Sequence, residues 1–209
     1  MMLILIIIFT MTLLYLAIAN RLFSYIKLLA LQGFLLFGMA YLELKSIDFY
    51  NLLFILVETL AVKAIVIPLF LVRIILRNRI TREAEPYVTD FFSLVTVTLS
   101  VVLAIILAHR VSTDYTQTLF LSGSIAGILT GLFIIVTRRK IITHIMGYMV
   151  LENGIFVLAL AAGSEMPMAV NAGILLDIFT SVLLLGVFAN KIGDVFRDIE
   201  IDKLAKLRD

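Results

Sequence analysis

The stretch QTLFLSGSIAGILTGLFIIVT (residues 117–137) is followed by RRK (138–140) and then by IITHIMGYMVLENGIFVLALAA (141–162). A helix needs roughly 20 apolar residues to cross a hydrocarbon core about 30 Å thick, and each of the two long runs meets this length. A short cluster of cations between apolar runs is typical of a loop at the membrane surface. The pattern therefore predicts two antiparallel transmembrane helices joined by a basic turn.

The rest of the chain has the same character. Of its 209 residues 62% are hydrophobic and 15% are charged, a composition far more apolar than that of soluble domains. Apolar runs bounded by charges predict seven helices, near residues 3–20, 24–42, 51–72, 88–108, 117–137, 141–162 and 167–190. The first run has no basic residue before it, so we expect a retained helix and not a signal peptide. The predicted fold is an all-α integral membrane protein, a bundle of about seven transmembrane helices.

Lysine and arginine are divided unequally between alternate loops. Fourteen lie after the first, third and fifth runs or in the tail, whereas only Lys45 and Arg110 lie on the opposite side. By the positive-inside rule this distribution predicts the N-terminus outside and the C-terminus in the cytoplasm.

Composition also excludes several kinds of function. The chain has no cysteine and two histidines, so we expect no disulfide, iron–sulfur, haem or zinc centre within it. The net charge of +2 gives no reason to expect nucleic-acid binding.

The polar segment RNRITREAEP (77–86) divides the chain into three front and four rear helices. This gives a front segment (1–80), a linker with the fourth helix (81–116), a rear three-helix segment (117–192) and a cytoplasmic tail (193–209). The tail has apolar residues at roughly helical spacing, so it is either an amphipathic helix or a solvated end.

A faint internal repeat is found when Gln32-Gly33 is aligned with Asn153-Gly154. The next carboxylate inside a span, Glu58, follows Gly33 by 25 residues, and Asp177 follows Gly154 by 23. The two halves either derive from one duplicated unit or align by chance, because apolar helices align easily.

Four ionisable residues lie well inside predicted spans: Glu58, Lys63, Glu152 and Asp177. A charge at the bilayer centre costs about 2.5–3.5 kcal/mol on insertion scales, so such residues usually face the bundle interior or a wet cavity. They are therefore candidates for a proton relay, the alternative being polar contacts that hold helices together.

Glu152 and Asp177 each lie near the middle of their spans, and the two helices are antiparallel. Their carboxyl groups are therefore expected at similar depth, where two acids cannot both ionise cheaply and one can exchange protons at physiological pH. His144, two turns before Glu152, is a candidate entry relay or a solvated interfacial residue.

Glu58 and Lys63 are five residues apart, which is about 140° around an α-helix. We therefore expect them to face different neighbours, and Lys63 either to carry protons or to pair structurally. Pro68 can kink the same helix.

Residues 118–192 contain HIMGYMVLENGIFVLAL (144–160) and MAVNAGILLDIFTSVLLLGVFANKI (168–192). This part resembles the three-helix K subunit of respiratory complex I and the C subunit of Mrp cation/proton antiporters. In that family a mid-membrane glutamate lies on each of the last two helices, and Glu152 and Asp177 take those positions, the second acid being shorter by one methylene. The whole chain resembles the component E membrane subunit of hydrogenase-4-type [NiFe]-hydrogenases.

The resemblance implies a non-redox subunit in the cytoplasmic membrane of a prokaryote, part of a hetero-oligomeric complex. The implied partners are antiporter-like subunits and a hydrogenase or complex I-like peripheral arm that carries the [NiFe] and iron–sulfur centres. The implied function is proton or sodium translocation coupled to electron transfer. A subunit of an Mrp-type antiporter and a scaffold without ion transfer are the alternatives.

Overall fold

A computed structural model describes residues 1–43, 53, 57–77 and 86–162. Within these ranges the chain is almost entirely helical, and its only strand-like pairing is an isolated bridge between Pro86 and Arg138. The helices are α1 (Met2–Ile18), α2 (Leu22–Glu43), α3 (Glu58–Val66 continued by Ile67–Arg77), α4 (Asp90–Val111), α5 (Tyr115–Thr137) and α6 (Ile141–Ala161). The chain is thus an all-α protein over the ranges described.

Five of these helices, α2 to α6, are long and apolar enough to cross a membrane, and α1 is a shorter apolar helix of 17 residues. These features are those of a membrane protein, as the composition predicts. Six of the seven predicted helices have counterparts in the structure. The seventh, 167–190, lies outside the described residues, as do residues 78–85 of the polar segment and the tail.

Side-chain caps explain two helix starts that differ from the apolar boundaries. Thr89 accepts a hydrogen bond from the backbone N–H of Phe92, so α4 begins at Asp90. Asp114 accepts one from the N–H of Gln117 at 2.8 Å, so α5 begins at Tyr115, two residues earlier than predicted. Each cap satisfies a backbone donor that has no partner within its helix.

The first half of α3 is wound more loosely than an α-helix. Over Glu58–Val66 the backbone forms a π-helix, and the N–H of Ile67 at its end donates to the carbonyl of Val62, five residues earlier. A π-helix brings positions five apart onto nearly the same side. The 140° separation that an α-helix gives positions 58 and 63 therefore does not apply to this backbone.

α1 buries one side against three other helices, and its other side is exposed. It packs against α2, α4 and α5, while α2 also contacts α3 and α6, and α5 and α6 form the most extensive pair. Phe9, Leu13 and Leu16 of α1 are fully buried. α4 is peripheral, since the buried residues on this helix lie on one narrow stripe: Ser93, Val97, Ala104 and Ala108.

Glycines allow the closest helix contacts. A Cβ atom at Gly131 of α5 would lie 2.5 Å from the backbone nitrogen of Leu151 in α6, and one at Gly154 would lie 2.7 Å from that of Ile128. Gly33 of α2 likewise lies against the backbone of α3. A Cβ atom at Gly33 would lie 2.7 Å from the backbone nitrogen of Ala64. Small residues at helix interfaces are the usual means of close packing in membranes.

One end of the bundle gathers the basic loops. Arg138 is buried, and its Nη2 donates to the carbonyl of Ala17, at the end of α1, over 2.8 Å. Asn20 donates to Asp90 at the start of α4. The loops that follow α1 and α5, and the start of α4, therefore lie together, with Arg139 over the ring of Tyr87 at 4.7 Å.

We expect Gly131→Ala to destabilise the protein by about 1–3 kcal/mol, the usual effect of added volume at a tight interface. The new methyl group would meet the backbone of Leu151, which cannot rotate away. Gly123→Ala on the same helix is the matched control, because its Cβ would meet only side-chain methyl groups of Ile6 and Val157, at ordinary contact distances of 3.4 to 3.7 Å. Titration with a denaturing detergent in mixed micelles measures both, and equal losses would refute close packing at Gly131.

Candidate functional site in the helix bundle

Two of the predicted ionisable residues meet at one cavity. Lys63 of α3 and Glu152 of α6 both line it, together with Asn153, and its apolar walls are Leu29, Ile67 and Met149. The volume open to the centre of a water molecule is about 10 Å³. This is close to the smallest volume that holds one water molecule. It is a small, mainly apolar cavity between α2, α3 and α6, with three polar residues in its lining.

Both charged residues of the site are deeply buried. Lys63 is 5% exposed and Glu152 is 4% exposed. The ammonium nitrogen of Lys63 also lies 5.1 Å from the ring centroid of Phe156, one turn after Glu152, within the range of a cation–π interaction. An acid and a base thus line the same cavity, where water is nearly excluded and electrostatic interactions are stronger than in solvent.

The close contact between Gly33 and Ala64 helps to build this site. Because Gly33 has no side chain, the backbone of α3 approaches α2 directly beside Lys63. Thr59, one turn before Lys63, is also fully buried. The packing thus places the π-helical part of α3 in the interior, where Lys63 meets α6.

A chain of buried hydrogen bonds leads away from the cavity across three helices. Asn153 Nδ2 donates to Gln32 Oε1 at 2.9 Å, and Gln32 Nε2 donates to Thr12 Oγ1 at 2.9 Å. The Thr12 hydroxyl donates to the carbonyl of Phe9 at 2.6 Å. These bonds satisfy polar groups that are expensive to bury alone, and they tie α6 to α2 and α2 to α1.

The other predicted relay residues do not line this cavity in the described part of the chain. His144 is half-buried in the first turn of α6 and does not line the cavity. Position 58 begins α3, but the Glu58 side chain is outside the described part of the chain, as is Asp177. The predicted proximity of Glu152 and Asp177 therefore stays a prediction.

The two members of the sequence repeat meet in space. Gln32 and Asn153, which the alignment equates, are hydrogen-bonded to each other. Their neighbouring glycines pack differently, since Gly33 contacts the helix that follows it and Gly154 contacts α5, the helix that precedes it. The two polar residues of the repeat thus make the same kind of contact, a hydrogen bond between α2 and α6, whereas the two glycines pack against different helices.

Sequence reasoning missed Thr12 and the role of Gln32. Both are single polar residues within apolar runs, and nothing in their spacing indicates that they bond to each other. Phe156 was also missed, because an aromatic residue in an apolar helix has no distinguishing signal. Among the described residues no group of three or more metal-ligating side chains is assembled.

One comparison with known proteins gives a similar sequence. The chain is 29% identical over 187 residues to Uncharacterized protein Rv0085 of Mycobacterium tuberculosis, an alignment that covers 88% of this chain and 85% of that protein. The similarity therefore extends well beyond the rear three-helix segment. No protein-family model matches the chain, and no solved structure matches it.

We expect Lys63→Met alone to reduce the amount of folded protein strongly, because it leaves Glu152 buried without the neighbouring cation. Loss of one member of a buried charged pair typically costs about 3–5 kcal/mol. The double variant Lys63→Met/Glu152→Gln removes both charges, so it should recover much of that loss. Fluorescence-detected size exclusion in detergent measures the folded fraction.

Arg73→Met is the control for this cycle, since Arg73 is an exposed cation on the same helix. It should leave the folded fraction nearly unchanged. Strictly additive effects of the two single substitutions would show that Lys63 and Glu152 are not energetically coupled.

Proposed function

We propose that this protein is a non-redox membrane subunit of an energy-converting hydrogenase or complex I-like assembly, in which its buried carboxyl groups take part in ion translocation. The observation that carries the proposal is the shared cavity of Lys63 and Glu152, both nearly inaccessible to solvent. Intramembrane ionisable residues of this kind mark ion pathways more often than lipid contacts. The resemblance of residues 118–192 to complex I and Mrp subunits supports the same function.

The pair has the chemistry that a proton relay needs. A carboxyl group and an amine that line one cavity exchange a proton through a bridging water molecule, and this cavity has room for about one water. Low polarity around the pair makes its protonation state sensitive to nearby charge. A charge moved within a neighbouring subunit can therefore change whether Glu152 holds a proton.

The presence of Lys63 favours the proton over sodium as the transported ion. The Lys63 ammonium group lines the same small cavity as the Glu152 carboxyl, so a second cation in this cavity would be repelled at short range. A proton instead changes the charge of groups already present. The site is therefore assigned to proton transfer, with Asp177 as the next carboxyl on the basis of the resemblance.

Electron transfer belongs to other subunits in this proposal. The [NiFe] and iron–sulfur centres lie in the peripheral arm, and antiporter-like subunits continue the line of ionisable residues through the membrane. The exposed apolar side of α4, where Phe91 and Leu99 are 78% and 63% accessible, is available for lipid or for such a subunit. An Mrp-type antiporter subunit would use the same residues without a redox arm.

The proposed topology is seven helices in the cytoplasmic membrane of a prokaryote, with the N-terminus outside and the C-terminus inside. The gathering of Arg138, Arg139 and the end of α1 at one end of the bundle supports it. Under the positive-inside rule that end faces the cytoplasm.

The topology predicts that alkaline phosphatase fused after residue 112, between α4 and α5, is active, and that a fusion after residue 80 is inactive. The enzyme folds only outside the cytoplasm, so its activity reports the side of each loop. A green fluorescent protein fused at the C-terminus should fluoresce, since it matures in the cytoplasm. Phosphatase activity after residue 80 would reverse the orientation.

The function predicts that purification in mild detergent brings down a [NiFe] large subunit and antiporter-like subunits, identified by mass spectrometry. In inside-out vesicles carrying this complex, Glu152→Gln should lower redox-driven proton uptake by about tenfold or more, because glutamine keeps the volume but cannot exchange a proton. Glu152→Asp should be milder. Quenching of an acridine dye measures the uptake.

Electron-transfer turnover and subunit content serve as controls, and both should change less than proton uptake. Copurification with antiporter subunits and no redox protein would establish the antiporter alternative. Normal proton uptake in Glu152→Gln, at equal subunit content, would exclude Glu152 from the relay and favour a scaffold. The same assay on Asp177→Asn and Asp177→Glu tests the second carboxyl, where Asn outperforming Glu would exclude it.

A further inference from the structure

The hydrogen-bond chain from Asn153 to Thr12 has a fixed direction. The direction is set at the Phe9 carbonyl, because a carbonyl oxygen can only accept a hydrogen bond. The Thr12 hydroxyl lies 2.6 Å from it and has one proton, so that proton is directed at Phe9. Thr12 Oγ1 can then only accept from its other neighbour, Gln32.

The direction passes from residue to residue. Because Thr12 accepts, the Gln32 NH₂ group faces Thr12 and its carbonyl oxygen faces Asn153. The Asn153 NH₂ group must in turn face Gln32. The amide oxygen of Asn153 is therefore left as the acceptor at the head of the chain, in the residue that lines the cavity beside Lys63 and Glu152.

Two kinds of reversal are unfavourable. Turning one amide over alone would set two donors or two acceptors face to face, and a buried polar group without its partner bears the full cost of its desolvation. Turning both amides together would require the Thr12 hydroxyl to donate to Gln32 and to give up its bond to the Phe9 carbonyl. Gln32 is fully buried, and Thr12 and Asn153 are 4% and 5% exposed, so water does not substitute. The orientation of Asn153 is thus decided in α1, two helices away.

We propose that Thr12 and Gln32 are positioning residues, which hold the Asn153 amide oxygen as a fixed acceptor at the Lys63–Glu152 cavity. The partial negative charge on this oxygen favours the protonated forms of Lys63 and Glu152, which line the same cavity. The three residues therefore bias the protonation equilibrium of the site. The inference rests on the proposed function for its role in transport, but its effect on Glu152 is measurable without any transport.

The test uses Thr12→Val in the full chain, within membranes of the native complex. Valine has nearly the shape of threonine but cannot accept from Gln32, so the amides lose their fixed direction. Thr10→Val is the matched control, because Thr10 also donates to a carbonyl of α1, that of Ile6 at 2.9 Å, and is not part of the chain. Thr12→Ser retains the hydroxyl and is the rescue variant.

The direct readout is the modification of Glu152 by a hydrophobic carbodiimide, located by mass spectrometry and followed as a function of pH. The reagent reacts with a protonated carboxyl group. We expect Thr12→Val to change the midpoint of this pH profile by about half a unit or more, which corresponds to a shift of about threefold in the equilibrium and to the loss of about one hydrogen bond. Thr10→Val and Thr12→Ser should keep the wild-type midpoint.

The second readout is the pH profile of proton uptake in the vesicles, which should change in parallel. An unchanged midpoint in Thr12→Val, or an equal change in Thr10→Val, would overturn the positioning role. If Thr12→Val does not assemble, Gln32→Met replaces it under the same criteria. A changed midpoint in membranes whose wild-type complex transports no protons would refute the proposed function and leave the positioning role standing.

Discussion

The hydrogen bonds of the buried Gln32 amide are the interactions on which the rest of the bundle depends. The amide bonds to Asn153 on one side and to Thr12 on the other, so that one side chain joins α6, α2 and α1. In an apolar interior a polar side chain cannot form hydrogen bonds with water, so other helices must supply its hydrogen-bond partners. The requirement fixes which faces of these helices meet, and thereby where Lys63 and Glu152 lie.

Close backbone contacts make those bonds geometrically possible. Gly33 lets α3 approach α2, and Gly131 and Gly154 let α5 and α6 lie almost backbone to backbone. Each glycine directly follows a polar residue in sequence, Gly33 after Gln32 and Gly154 after Asn153, but the two members of each pair face different helices. Gly33 packs on α3 and Gly154 on α5, whereas the two amides bond to each other between α2 and α6. One polar-glycine pair in each half of the chain therefore joins its helix to neighbours on two sides.

The front helices contribute residues to the proposed proton site. A resemblance to three-helix subunits covers only the rear segment, whereas Lys63, Gln32 and Thr12 all belong to the front. The structure places Lys63 at the same cavity as Glu152. The proposed proton site thus contains residues of both segments, and the proposed bias on its protonation would originate in α1.

Sequence alone predicted the apolar helices, six of which the described residues contain, because apolar run length is a local property set by the bilayer. The orientation inferred from flanking charge stays a prediction. Sequence also identified Lys63 and Glu152 as unusual, since a charge in an apolar run is visible without a fold. It could not show that they share a cavity, or that α3 is wound as a π-helix, or that Thr12 bonds to Gln32. Those features depend on contacts between residues far apart in the chain, and only tertiary packing decides which helix faces meet.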